Sequence, residues 1–218
     1  MPNRPRNKQS PAHAPRPPQR PQAIVVAAST GGPQALATLF SSLGPQLSDV
    51  PVFVVLHMPA PFASVVTGQI QKLSTRPTSS AIDGEIARAG HIYFAPGDFH
   101  LSLRDRGLSV SMHLDHGPEL NFCRPAADIL FSSAAKIYGS SLIAIVLSGM
   151  GSDGCAGAVH VAKAGGLIFA QDEASSAVWG MPGAVAAAGV SHQILPPQDI
   201  AAHVARLLIA GRAAEAAA

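Results

Sequence analysis

Three runs of consecutive apolar residues restrict the fold more than any other feature of this chain: Ala23 to Ala28, Val52 to Leu56 and Leu142 to Leu147. Each is too short for a buried helix and lacks polar alternation, so each reads as a strand covered on both faces. Each ends in a loop with glycine or proline: Ser29-Thr30-Gly31-Gly32-Pro33, His57-Met58-Pro59, and Ser148-Gly149-Met150-Gly151-Ser152-Asp153-Gly154. A helical stretch follows every break. The first carries Leu36, Leu39, Phe40 and Leu43, the second Phe62, Val65, Val66, Ile70 and Leu73, and the third spans roughly Cys155 to Ala164.

Ile92 to Ala95 and Leu167 to Ala170 add two more strands. His100 to Leu103 and Leu108 to Met112 flank Arg104 to Gly107 and predict a hairpin. Helices are expected over Pro125 to Tyr138, Pro182 to Ala188 and Ile200 to Leu208. The alternation predicts an α/β fold: a doubly wound, mostly parallel sheet with helices on both faces and an antiparallel hairpin at one edge. Such sheets bind ligands beyond the carboxyl ends of their strands, near a topological switch point. The loops at Ser29, His57 and Asp153 are therefore expected at one edge of one sheet.

The net charge of +2 hides a division. Residues 1–22 hold Arg4, Arg6, Lys8, Arg16 and Arg20, no acid, and 7 of the 19 prolines. That composition predicts a disordered arm. The body carries 10 basic against 13 acidic residues, which weakens any nucleic-acid reading of it. No apolar run approaches the ~20 residues of a membrane span, and no apolar core follows the N-terminal basic residues. With no secretory signal, Cys123 and Cys155 are expected as free thiols in the cytoplasm.

Ser29 follows a buried strand on a glycine turn. Such a turn exposes a nucleophile and frees backbone N–H groups for an oxyanion. The same residue suits a helix N-cap or an anion-binding turn equally well. His57 stands where a general base for serine could stand. Asp153 could orient that imidazole, cap the helix that follows or serve as a metal carboxylate. Their chain order, Ser-His-Asp, differs from that of α/β-hydrolases, chymotrypsin and subtilisin. No paired His, Cys or acidic cluster marks a metal site, no nucleotide-binding motif is present, and no cofactor is implied. A non-catalytic α/β module that cradles an anion remains the alternative.

At these residues the sequence resembles the catalytic domain of the bacterial chemotaxis protein-glutamate methylesterase, the CheB family. The resemblance rests on Ala28 to Pro33, His57-Met58-Pro59, Tyr93 to Gly97 with His100, and Arg124-Pro125 with Asp128, Leu130 and Phe131. It continues through Ser148 to Gly154, Ala170 to Glu173 and Gly180-Met181-Pro182, and so runs from about Ile24 to Leu208. It implies hydrolysis of glutamyl methyl esters on the cytoplasmic helical region of methyl-accepting chemoreceptors, with deamidation of receptor glutamines as a related activity. It also implies Ser29 as nucleophile, His57 as general base and acid, and Asp153 as its orienting partner. Thr30 and Met150 line the site, and their backbone N–H groups are expected near the oxyanion.

The family's usual receiver domain has no counterpart ahead of residue 23. The expected organisation is an arm over residues 1–22, a catalytic domain over 23–212 and a disordered tail over 213–218. Leu56, Cys123 and Ala126 stand where the family often has Gln, His and Ser. These departures bear on substrate range and regulation more than on the chemistry, and they leave an esterase of this type acting on a substrate outside chemotaxis as a second alternative.

Overall fold

The computed structural model describes residues 20–216. The strands are β1 (Ala23–Ala28), β2 (Val52–Leu56), β3 (Thr78–Ser80), β4 (Ile92–Phe94), β5 (His100–Asp105), β6 (Val110–Asp115), β7 (Leu142–Val146), β8 (Leu167–Gln171) and β9 (Gln193–Leu195). The helices are α1 (Gly32–Leu43), α2 (Ala60–Ser74), α3 (Ala127–Tyr138), α4 (Cys155–Lys163), α5 (Met181–Ala187) and α6 (Pro197–Ala216). Seven strands form a parallel sheet in the order β3-β4-β2-β1-β7-β8-β9.

β1, β2 and β7 are buried along their whole length. Strand alternation sends Ile24, Val26 and Ala28 to one face, where α1, α2 and α6 contribute Leu36, Phe40, Ile70 and Val204. Ala23, Val25 and Ala27 face the other way, toward Leu130 and Phe131 of α3, Val161 of α4 and Val185 of α5. With every side chain of these strands covered, unbroken apolar runs are what the architecture requires.

From β1 at the centre the chain passes to β2, goes out to β3 at the edge, comes back to β4 between β3 and β2, and then crosses to β7 on the other side of β1. The switch point therefore lies between β1 and β7. The loops that hold Ser29 and Asp153 open on this crevice, and the His57 loop opens beside it.

Three expectations are corrected. The hairpin β5-β6 does not extend the edge of the main sheet; it forms a separate two-stranded sheet. Both its edges are bonded locally: Gly84 and Ala87 donate to Met112 and Val110 of β6, and the Ser133 hydroxyl of α3 accepts from Leu103 N–H of β5 at 3.0 Å. Three residues expected in the arm belong to the body: Arg20 pairs with Asp49 at 3.3 Å, Pro21 is buried, and Gln22 N–H donates to Ser141. The rest of the arm, residues 1–19, lies outside the described residues. Finally, α6 continues to Ala216, into the segment expected to be disordered. Gly211 is no helix stop there. A Cβ on it would press on the Arg20 side chain, so the glycine permits a close approach.

Candidate active site

Ala28 of β1 pairs with Leu56 of β2. Ser29 and His57 are the next residue on each strand, so they stand side by side where the two strands end. Ser29 N–H donates to Ser148 O at 3.0 Å and His57 N–H to Ala28 O at 3.0 Å. These bonds fix both backbones. Among the described residues the Ser29 hydroxyl has no hydrogen-bond partner. Nor does Ser29 cap α1: that position belongs to Gly31, at φ 78°, with no side-chain bond.

A side chain at Gly149 would collide with this loop. Its Cβ would fall 2.8 Å from Ser29 Cβ and against the Met181 sulfur. Ser148 ties the same region together. Its hydroxyl donates to Thr30 O at 2.8 Å and accepts from Val178 N–H at 3.0 Å, while its own N–H donates to the buried Gln171 side chain at 2.8 Å. Thr30 and Met150 are exposed beside Ser29. Among the described residues, the backbone N–H groups of both bond to no other backbone group.

His57 Nε2 lies 2.8 Å from Asp153 Oδ2. The carboxylate can only accept, so Nε2 carries the proton and Nδ1 keeps its lone pair. Asp153 is 2% exposed, and three backbone N–H groups also donate to it: Ala127 at 2.6 Å, Asp128 at 3.0 Å and Gly154 at 3.0 Å. Burial alone would raise this carboxyl. The bonds from His57, Ala127 and Asp128 outweigh it and hold Asp153 below the ordinary value. The aspartate therefore remains an anion beneath the imidazole.

The loop ahead of α3 forms the opposite wall. Buried His100 accepts from Ala126 N–H at 3.2 Å and donates from Nε2 to Pro118 O at 3.0 Å. Leu120 and Cys123 exchange backbone bonds across a tight turn, with Asn121 at φ 54° and Phe122 at φ 61°. Positive φ at both central residues is the pattern of a type I′ turn. The turn lifts Phe122 into solvent and points Cys123 inward, so that its Sγ lies 3.9 Å from His57 Nδ1. A cavity of about 560 Å³ opens here, lined by His57, Met58, Phe122, Cys123 and Arg124.

Ser29, His57 and Asp153 thus follow three adjacent strands, with Thr30 and Met150 in the same loops, and of the five only His57 lines the cavity. Asp128, His100, Ser148 and Gln171 support the site without having been singled out for that from the sequence. Only the run Arg124 to Phe131 hinted at Asp128. The cluster of His57, Cys123 and Asp153, whose donor atoms lie within 4.8 Å of one another, departs from the expectation that no metal-type grouping exists. It joins three loops far apart in the chain, so no local spacing could reveal it.

A doubly wound α/β domain with a His–Asp pair beside an unengaged serine at its switch point has the parts of a serine hydrolase. Residues 24–204 match the CheB methylesterase family, and the chain belongs to it. The chain is 48% identical over 190 residues to a protein-glutamate methylesterase/protein-glutamine glutaminase of Rhodospirillum rubrum, covering 86% of this chain and 49% of that protein. A second such enzyme, from Bradyrhizobium diazoefficiens, is 45% identical over 192 residues, or 88% of this chain and 48% of that protein. The chain thus spans about half the length of these curated relatives. The crystal structure of the Thermotoga maritima CheB methylesterase catalytic domain superposes with a TM-score of 0.83 at 37% identity, covering 86% of this chain and 98% of that one.

Proposed function

We propose that this chain is a protein-glutamate methylesterase acting on chemoreceptor glutamyl methyl esters, with Ser29, His57 and Asp153 as its catalytic triad. The observation that carries this reading is the His57–Asp153 bond of 2.8 Å, which engages Nε2 and turns Nδ1 away from the carboxylate, on the strand end next to the one that Ser29 follows. His57 Nδ1 takes the hydroxyl proton as Oγ attacks the ester carbonyl. The oxyanion forms near the free N–H groups of Thr30 and Met150. Collapse expels methanol, which leaves with the proton from His57, and a glutamyl ester remains on Ser29. Water, deprotonated by His57, then releases glutamate and restores the serine. Asp153 stabilises the imidazolium in both halves. A glutamine side chain passes through the same steps with ammonia as leaving group. No step calls for a cofactor.

Among the described residues no helix is long and apolar enough to cross a membrane. In this reading the enzyme works in the cytoplasm, on receptor helices, through a catalytic domain spanning about residues 23–212. Ser29→Ala should abolish methanol release from methylated receptor while thermal unfolding stays within a few degrees of the parent. Unchanged release would overturn the triad.

A further inference from the structure

Cys123 stands against the one imidazole nitrogen that the proposed reaction uses. Its Sγ lies 3.9 Å from His57 Nδ1 and 3.4 Å from Asn121 O. Asp153 holds the other ring nitrogen, so the Nδ1 lone pair points out of the His57–Asp153 pair. The sulfur, a His57 nitrogen and an Asp153 oxygen lie within 4.8 Å of one another. Glu119 and Asp128 add negative charge around the thiol.

A tetrahedral cation bonded to one imidazole nitrogen and one thiolate sulfur holds them roughly 3.6 Å apart, given the usual Zn–N and Zn–S bond lengths. The spacing here is close to that, and a small rotation of the Cys123 side chain closes the rest. Mixed imidazole and thiolate donors select zinc and its soft relatives over magnesium or calcium. Ligating histidines usually hand their second nitrogen to a carboxylate, which is the position Asp153 occupies. The cavity beside Cys123 leaves room for water to complete the coordination.

Oxidation is a poorer use of this thiol. Burial foremost, and then Asp153, Glu119 and Asp128, hold Cys123 above its ordinary value, so little thiolate is present for a peroxide. A metal ion displaces the proton directly. The other thiol, Cys155, donates to Ala184 O at 3.4 Å and has no histidine partner among the described residues.

We propose that Cys123 and His57 form an inhibitory site for a thiophilic divalent cation, zinc above all, which occupies the Nδ1 lone pair that Ser29 would otherwise use. Binding forms one S–metal and one N–metal bond, releases the thiol proton to solvent and changes no oxidation state. Metal binding itself does not depend on the esterase reading; only the inhibition rests on it.

The test is a titration of the full, chelator-treated chain with cadmium, followed by thiolate-to-metal charge-transfer absorption, and with zinc by calorimetry. Parent and Cys155→Ser should give the band, and Cys123→Ser should lose it. His57→Gln should weaken affinity on the order of 10–100-fold or more. Zinc should stop methanol release reversibly, and Cys123→Ser, compared with its own zinc-free rate, should need at least ten times more. No band in the parent, or a band that survives Cys123→Ser or ignores His57→Gln, overturns the site. Binding with the predicted mutational pattern in a protein that releases no methanol even without metal leaves the site standing and rejects the esterase reading. Binding without inhibition of an active enzyme overturns the inhibitory role.

Discussion

Asp128 and Asp153 cap each other's helices. Asp153 lies just before α4, yet its carboxylate accepts from Ala127 and Asp128, the first amides of α3. Asp128, in the first turn of α3, accepts from Gly157 N–H of α4 at 2.7 Å. Neither helix has a side-chain bond from its own cap residue, so each start is completed by the other. The two carboxylates respond oppositely to this closeness. Asp153 is held low, whereas burial first and then the Asp153 charge push Asp128 up.

Opposite shifts give opposite pH dependence. The depressed Asp153 contributes stability above its unfolded value, about 3.9, which is lost as pH falls through the still lower folded value. The raised Asp128 costs stability while ionised, and that cost disappears as pH falls through its raised folded value. Asp128→Asn should therefore gain most relative to the parent near neutral pH and lose the advantage toward pH 4. Asp153→Asn should lower Tm by several degrees at pH 7 and cut kcat on the order of 10³-fold or more, because an amide can present N–H where His57 needs an acceptor. Melting curves from pH 4 to 8 for both variants check the signs.

Gly149→Ala should damage catalysis more than stability. Its Cβ would push the Ser29 side chain and the Met181 sulfur aside. Overpacking of this kind costs about 1–3 kcal/mol. A displacement of the nucleophile by even part of an ångström should cost on the order of 10–100-fold in kcat, with KM little changed. Steady-state kinetics beside chemical denaturation separate the two effects.

Phe122→Gly should make the protein more stable and less effective. A phenylalanine at φ 61° pays a steric cost of about 1–2 kcal/mol, and Asn-Gly is the favoured pair for this turn. The ring is almost fully exposed at the cavity rim, where the proposed function would bring a receptor helix. The expected result is a higher Tm together with a several-fold lower kcat/KM on receptor and an unchanged rate on a small methyl ester.

Removing residues 1–19 should slow demethylation of membrane-embedded receptor at low ionic strength only. Arg4, Arg6, Lys8 and Arg16 would attract an acidic receptor or lipid surface, a contribution that screening removes. Rates of parent and truncated protein, compared from low to high salt, should converge. Equal rates at every salt concentration would deny these residues such a role.

The sheet and its three candidate-site loops were legible because buried strands leave an unmistakable trace: apolar runs cut off by glycine or proline. Strands without that trace were not. β3 (Thr78–Ser80) and β9 (Gln193–Leu195) are three-residue strands at the sheet edges, only partly covered. The placement of the hairpin depended on α3 and on the Gly84–Ala87 segment, which no local pattern discloses. Ser29, His57 and Asp153 could be named from their positions after strands. What Asp128 and Cys123 do could not, because both act through residues at least 25 positions away.

The strand order also sets how this protein should fail when heated. Ser29, His57 and Asp153 follow β1, β2 and β7, three adjacent strands at the fully buried centre of the sheet. β1 pairs directly with both β2 and β7, so the three strand ends belong to one hydrogen-bonded unit. Activity should therefore persist up to the melting of the sheet and vanish with it, so that inactivation and unfolding trace a single curve.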